Sequence, residues 1–339
     1  MPVAASALVS AAVELAGAFD RGGRLLAVGE GRAAADARHI AVEFLHPVIV
    51  GKRALPAAVG ADRVGTDDIV IAVAYDGAVV RGSVDIALAD HPVPEARHVV
   101  ELPAGDAFAA KEAALVSYHV LWELVHVFLD ETVNGPGGDA ELDALYPMLY
   151  RAGEITDAAI AAATASTEDK LAETGAVRSR TLTDNAEAID AAAGMLGDAA
   201  TVFTFGNGGS ATDAADLAWA LGPKGWALCD DIATVTALAN DVSFDVVFAR
   251  QLATLARPGD AVVALSTSGT SPNILAGLRE AQRLGLGTIG LAGYDGGAMA
   301  TAGLDACCVV DSTSIHRIQE SYVAAYDEMI RRAGLVRSA

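Results

Sequence analysis

The stretch that decides the fold is "GNGGSATDAADLAWAL", residues 206–221, which follows the short apolar run "TVFTFG". An apolar run, a glycine-rich turn and an alanine-rich segment together predict a strand that connects tightly to a helix. The same frame occurs at residues 29–44, "GEGRAAADARHIAVEF", after "RLLAVG". Because 339 residues are enough for two domains, we interpret the two stretches as copies of one duplicated unit.

Composition restricts the classes of function that the chain can have. It is 53% hydrophobic and 20% charged, which is typical of a packed globular protein. A formal charge of −21 argues against binding to nucleic acid or to an anionic membrane, because phosphate would be repelled. The three cysteines form no CxxC motif, and the N-terminus is predicted to form an amphipathic helix. No apolar stretch has the composition of a membrane span. We therefore expect a cytoplasmic protein.

Each half predicts the same order of elements. A helix, a strand, a glycine turn and a helix are followed by a second strand, "DDIVIAVAYDG" or "GDAVVALSTSG", then another helix and a long closing helix. This alternation predicts the α/β class: two doubly wound, flavodoxin-like parallel sheets in tandem, with helices on both faces. We place the first domain at 1–133, a linker at 134–138, and the second domain at 139–339, which begins with a helical segment to about residue 181.

Two loops of the second half predict an anion site. Gly206–Ser210 places backbone amides and a hydroxyl at a helix N-terminus, where free N–H groups and the helix dipole favour negative charge. "STSGTS", residues 266–271, follows at the end of the next strand and carries five hydroxyl side chains. Ligands of open α/β sheets bind at such carboxyl ends, although the same loops could simply be helix caps and tight turns.

The first half lacks these groups and keeps others. Glu30 and Asp76 stand at loop positions where they would repel a phosphate. His39 and Glu43, four residues apart on a predicted helix, project from one face, and His119 lies on the closing helix. These three could hold a divalent metal or supply an acid and a base. Alternatively, His39 and Glu43 form a surface pair. His126 competes with His119 for its role on the closing helix, and Glu123 could equally be a surface charge.

The second half resembles the sugar isomerase (SIS) domain of phosphoheptose isomerases in the motifs "GNGGSATDAADLA", "ALANDVSFD", "ALSTSGTSPN", "AGYDGGAMA" and "HRIQESY". The resemblance is dense over residues 184–335 and weaker over 1–130. It implies the following substrate and phosphate contacts: Asn207, Gly208, Gly209, Ser210, Asn240, Asp241, Ser266, Thr267, Ser268, Ser271 and Gln319.

The resemblance also places catalytic and metal-binding residues in the first half. The family's catalytic or metal-binding His and Glu fall on His39 and Glu43, and its closing-helix His falls on His119. The implied roles are catalysis by Glu43 and His119, and Zn²⁺ held by His39, Glu43 and His119, with Gln319 as a further ligand. The family's Gln on that helix falls on Lys111 in the first half, where a fixed cation could replace the metal.

The resemblance implies an aldose–ketose isomerase that acts on a phosphorylated sugar through an enediol, with sedoheptulose 7-phosphate as the expected substrate and no nucleotide cofactor. Family members are tetramers, so we expect a homodimer that forms a pseudo-tetramer of SIS domains. The active site would then be composite, with the second half holding the phosphate and the first half doing the proton chemistry. The alternatives are a non-catalytic phosphosugar sensor, an isomerase of hexulose or pentose phosphates, and a structural scaffold.

Overall fold

The computed structural model describes residues 3–47, 52–60, 65–133 and 156–336. The chain folds as two compact units, residues 1–175 and 176–339. Each unit is built around its own five-stranded sheet.

All strands of the first sheet are parallel, in the order β2-β1-β3-β4-β5. Its strands are β1 (Leu25–Gly29), β2 (Ala57–Val59), β3 (Ile69–Ala74), β4 (Ile86–Ala89) and β5 (His98–Glu101). The accompanying helices are α1 (Ala5–Asp20), α2 (Ala33–Leu45) and α3 (Ala107–Val133), followed by α4 (Asp157–Asp184), which runs on into the second unit. The predicted N-terminal helix is confirmed as α1, which packs against α3.

The second sheet repeats this topology, because its order is β7-β6-β8-β9-β10 with every pair parallel. Its strands are β6 (Val202–Phe205), β7 (Gly225–Ala227), β8 (Ala261–Ser266), β9 (Gly287–Gly293) and β10 (Ala306–Val310). Its helices are α5 (Ala186–Asp198), α6 (Gly209–Ala220), α7 (Ile232–Asp241), α8 (Val247–Leu255), α9 (Pro272–Arg283), α10 (Gly297–Ala300) and α11 (Ile315–Arg332). Two parallel sheets with one shared strand order confirm the predicted fold class and the flavodoxin-like topology.

The glycine turns coincide in detail between the units. A Cβ atom added to Gly29 would stand 2.3 Å from the carbonyl oxygen of Ala33, and one added to Gly206 would stand 2.3 Å from that of Ser210. Both distances are far inside van der Waals contact, so only glycine lets the strand pass this close to the helix that follows. The next glycines also match, since Gly31 has a φ of 60° and Gly208 a φ of 55°.

The two units differ on one face of the sheet. In the second unit, α11 packs against α5 and α6, while α9 packs against α8 and against β8 and β9. In the first unit, α3 packs against both α1 and α2. The helix predicted after β3 is wrong here, because residues 75–85 form no helix.

Loops pack on part of this face instead. The apolar cluster on it joins small sheet residues, Ala72, Ala74, Ala87 and Ala89, to Val84 and Val93 of the loops. Alanine side chains let a loop approach a strand closely, so a core forms without the missing helix. The predicted class of two parallel sheets with helices is confirmed, and the one difference among the described residues is coil in place of a helix between β3 and β4.

The units divide within α4, between Gly175 and Ala176, and not at the predicted linker. The first part of α4 belongs to the first unit because Thr167 and Lys170 are buried there, with Lys170 ion-paired to Glu123 of α3. The linker itself, 134–138, lies outside the described residues, as do residues 139–155 of the predicted helical segment. The rest of that segment is helical, as expected.

One described helix passes a length and hydropathy test for a membrane span. It is the part of α3 at Ala107–Leu129, and 94% of its apolar window is buried inside the protein. Burial of that extent is the pattern of a core helix.

The close approach at the first turn can be tested by substitution. Gly29→Ala should destabilise the protein by about 1–3 kcal/mol, because the new methyl group overlaps the Ala33 carbonyl. The control is Gly194→Ala in the interior of α5, where a Cβ meets nothing within 4 Å and alanine should stabilise by about 1 kcal/mol. Thermal denaturation measures both, and equal melting temperatures for the two variants would contradict the steric argument.

Candidate functional site

Helices α2 and α3 bring the predicted His and Glu residues of the first unit together. His39 and Glu43 lie one turn apart on α2, with His39 Nε2 3.4 Å from Glu43 Oε1. The rings of His39 and His119 pack edge to face, with centroids 5.3 Å apart. His39 and His119 are fully buried and Glu43 is 2% exposed, so the alternative of a surface pair is wrong.

The three side chains have the chemistry of a metal centre. One ligand atom from each of His39, Glu43 and His119 can be chosen so that all lie within 4.8 Å of one another, the only such group found among the described residues. Two imidazoles and a carboxylate are a donor set of catalytic zinc sites, in which ligand distances are about 2.0–2.2 Å. The residues therefore fit Zn²⁺ after a small inward movement. A bound Zn²⁺ would leave a fourth position for water or substrate.

A charged network lies beside this cluster. Asp36, one turn before His39 on α2, is fully buried and accepts hydrogen bonds from Lys111 Nζ at 2.5 Å, Tyr75 Oη at 2.7 Å and Tyr118 Oη at 3.1 Å. The Tyr118 ring in turn packs against His39 and His119, with centroids 5.3 and 5.2 Å apart. Lys111 thus has a carboxylate partner of its own outside the cluster, a link that sequence spacing does not reveal.

The competing residues occupy other environments. His126 Nδ1 lies 2.9 Å from the Trp122 carbonyl oxygen, and its ring packs at a tilt against Trp122, with centroids 4.2 Å apart. Glu123 is buried and pairs with Lys170, so it is not a surface charge. Neither residue belongs to the cluster, which leaves His119 as its closing-helix member.

In the second unit, the two predicted loops lie at the carboxyl ends of β6 and β8, which are adjacent strands. The first loop leads into α6, whose first N–H groups have no partner within the helix. In the second loop, Ser266 Oγ is 3.4 Å from Ser271 Oγ, and Thr270 Oγ1 donates to Ser268 Oγ at 3.0 Å. Backbone amides and hydroxyls therefore converge on one edge of the sheet, as an anion requires.

Glycines fix the second loop against the end of β9. A Cβ added to Gly269 would stand 2.1 Å from the Gly296 carbonyl oxygen, and one on Gly297 would stand 2.4 Å from that of Ser268. Gly293 N–H donates to the Thr267 carbonyl at 3.0 Å. Because the loop packs against the end of β9 and the turn that follows it, its backbone has little conformational freedom.

Three other residues that are expected to contact the substrate lie elsewhere in the second unit. Asn240 and Asp241 are exposed at the end of α7, and Asn240 Nδ2 donates to Asp241 Oδ1 at 2.7 Å. Gln319 is buried on α11, and its Oε1 accepts no hydrogen bond from the described residues. Burial first, and then the nearby Asp213 carboxylate, raises the pKa of Tyr322 on the same helix well above its usual value, so this phenol stays protonated.

Sequence reasoning missed Asn273, which is 2% exposed at the start of α9. Its side chain exchanges two hydrogen bonds with Asn207 of the first loop, at 2.9 and 2.8 Å. The signal was present in the "SPN" of the second motif, but nothing local identifies the partner, which lies 66 residues away.

Known proteins match both the fold and the sequence. The SIS domain family matches residues 171–293. The phosphoheptose isomerase of Rhodospirillum rubrum is 42% identical over 156 residues, which cover 42% of this chain and 82% of the relative. That of Campylobacter concisus is 44% identical over 131 residues, covering 36% and 69% respectively.

The similarity to one solved structure covers nearly the whole chain. The C-terminal domain of glucosamine-fructose-6-phosphate aminotransferase from Francisella tularensis covers 98% of this chain and 92% of its own, with a TM-score of 0.61 and 13% identity. At that identity the likeness shows the fold alone. Together, the strand order, the two loops and the sequence matches define a tandem α/β protein of the sugar isomerase class. The chain belongs to the SIS-domain family, and its curated relatives named above are phosphoheptose isomerases.

The buried pair beside the cluster predicts a large effect on stability. Lys111→Met should destabilise the protein by about 3–5 kcal/mol, because it leaves the Asp36 carboxylate buried without its cation. The double variant Asp36→Asn/Lys111→Met should recover most of that loss. Arg283→Ala, which breaks the exposed pair with Glu280, should barely alter the melting temperature. A Lys111→Met protein as stable as the parent would contradict the ion-pair argument.

Proposed function

We propose that the chain is an aldose–ketose isomerase of phosphorylated sugars, with sedoheptulose 7-phosphate as the expected substrate. The observation that carries this proposal is the complementary loss in the two units. The first has a buried His39–Glu43–His119 cluster and acidic loop residues, whereas the second has amide- and hydroxyl-rich loops. At the positions of His39, Glu43 and His119, the second unit has Asp216, Ala220 and Asp327.

Each set supplies one part of the reaction. The loops of the second unit would hold the phosphate, which fixes the reacting end of the sugar and can lower the barrier by several kcal/mol, on the order of 7–11 at best. Isomerisation moves a proton between adjacent carbons through an enediol. Glu43 would remove the proton from carbon, and His119 would move protons at the two oxygens. The proposal requires both sets to act on one substrate.

The cluster would also hold Zn²⁺ through His39, Glu43 and His119. When bound, the metal supplies polarisation of the substrate carbonyl. A carboxylate has two oxygens, so ligation of Glu43 through one leaves the other available for the proton. No hydride or group carrier is required, because the substrate is oxidised at one carbon and reduced at the next. We expect the protein to be cytoplasmic and homodimeric. Light scattering on the purified chain would test the dimer.

Proton chemistry in the first unit gives one test. Glu43→Gln and His119→Ala should each lower kcat by about 100-fold or more, because an acid–base group contributes roughly 10²–10⁴-fold. Sugar phosphate binding should remain measurable in both variants. Turnover is followed as exchange of substrate C–H for deuterium. Full activity in either variant would remove the role assigned to it, and binding without exchange in the parent protein would indicate a sensor.

Phosphate binding in the second unit gives a complementary test. Ser268→Ala should raise KM by about 10-fold, with a smaller change in kcat, because a lost hydrogen bond to a charged group costs about 1.5–3 kcal/mol. The control is Thr254→Ala on α8, whose hydroxyl donates only to the Arg250 carbonyl. A large fall in kcat with unchanged KM would contradict the proposed division between the units.

A further inference from the structure

The two loops of the second unit are joined by one pair of side chains. Asn207 Nδ2 donates to Asn273 Oδ1 at 2.9 Å, and Asn273 Nδ2 donates to Asn207 Oδ1 at 2.8 Å. Asn207 lies in the first loop, and Asn273 lies just after the second, so the pair links them across the ends of β6 and β8. Of the two, Asn273 is the buried member.

The loops differ in how firmly the backbone holds them. The second is packed against the turn after β9 through Gly269 and Gly297. The first passes from the close approach at Gly206 through Gly208, which has a positive φ of 55°. A glycine at such a position has wide conformational freedom. The amide pair therefore fixes the first loop to the better-anchored second one.

The first unit has a bridge at the equivalent positions. Counted from Gly29 and Gly77, which match Gly206 and Gly269, Glu30 and Arg81 fall at the sequence positions of Asn207 and Asn273, although Arg81 lies in coil and Asn273 in a helix. Arg81 Nε lies 3.5 Å from Glu30 Oε1, with both side chains more than half exposed. The duplicated positions thus pair in both units, with different chemistry in each. The second unit has the neutral and more buried version, which adds no negative charge next to an anion.

We propose that Asn273 is a positioning residue for phosphate binding, acting through Asn207. It holds the first loop at a fixed separation from the hydroxyls of the second, so that both present donors to one phosphate. This role rests on the proposed function, since it concerns the phosphate site of the second unit. Asn207 can still contact a ligand, because its amide keeps a second N–H and a second lone pair.

A double-mutant cycle on the full chain tests this role. Asn273→Ala should weaken binding of inorganic phosphate by about 10-fold, because it breaks the bridge. Asn207→Ala should weaken binding at least as much, because it also removes any contact of its own with the anion, and the double variant should be no weaker than Asn207→Ala alone. Hydrogen–deuterium exchange should show faster exchange in the 206–210 loop in all three variants. If Asn273→Ala does not fold, Asn207→Ala removes the same bridge from its more exposed end.

The matched control is Asn185→Ala, in the same unit. Asn185, which precedes α5, exchanges hydrogen bonds with the backbone of Val309 at 2.8 and 3.0 Å and forms no part of the Asn207–Asn273 bridge. It should leave phosphate affinity and loop exchange unchanged. Additive losses in the double variant, or unchanged loop exchange in Asn207→Ala, would overturn the proposal. If the parent protein binds no phosphate, the proposed function fails, while the exchange measurement still decides whether the bridge holds the loop.

Discussion

The arrangement of both units depends on one steric constraint, the contact of a strand end with the first turn of the following helix. At Gly29 and Gly206 the backbone passes so close to a carbonyl oxygen four residues on that no side chain fits. This contact sets the direction in which α2 and α6 leave the sheet. In the first unit, α2 carries His39 and Glu43 inward to meet His119; in the second, α6 points its free N–H groups at the sheet edge. One backbone geometry thus supports two kinds of chemistry.

The residues around that constraint have diverged in charge. In the first unit, Asp36 is neutralised by Lys111, and the cluster beside it is fully enclosed. In the second unit, the position of Asp36 is taken by Asp213 and that of Lys111 by Gln319. A buried carboxylate costs much free energy unless it is paired or hydrogen-bonded, so such exchanges require compensating changes nearby.

Much of the fold and the pairing of His39 with Glu43 could be predicted from the sequence, because they depend on local spacing, whereas His119 was identified through the family resemblance. Glycine turns after apolar runs identify strand ends, and an interval of four places His39 and Glu43 on one helix face. What the sequence did not reveal depends on distant partners. Lys111 meets Asp36 across 75 residues, and Asn273 meets Asn207 across 66. The absence of a helix at residues 75–85 could not be predicted either, because a segment of that length is long enough to form a short helix.

The face of the first sheet that loops cover has a further consequence. Domains of this class are normally three layers thick, with the sheet in the middle, whereas between β3 and β4 the described residues of the first unit form coil in place of a helix. The strands present only small side chains to these loops. Val84 and Val93 pack against the strand alanines Ala72, Ala74, Ala87 and Ala89. A helix inserted between β3 and β4 would sit above these alanines at a greater distance and leave voids over the four methyl groups. Restoring the third layer would therefore require larger side chains on the strands together with the inserted residues, so the difference is not readily reversed by a single insertion.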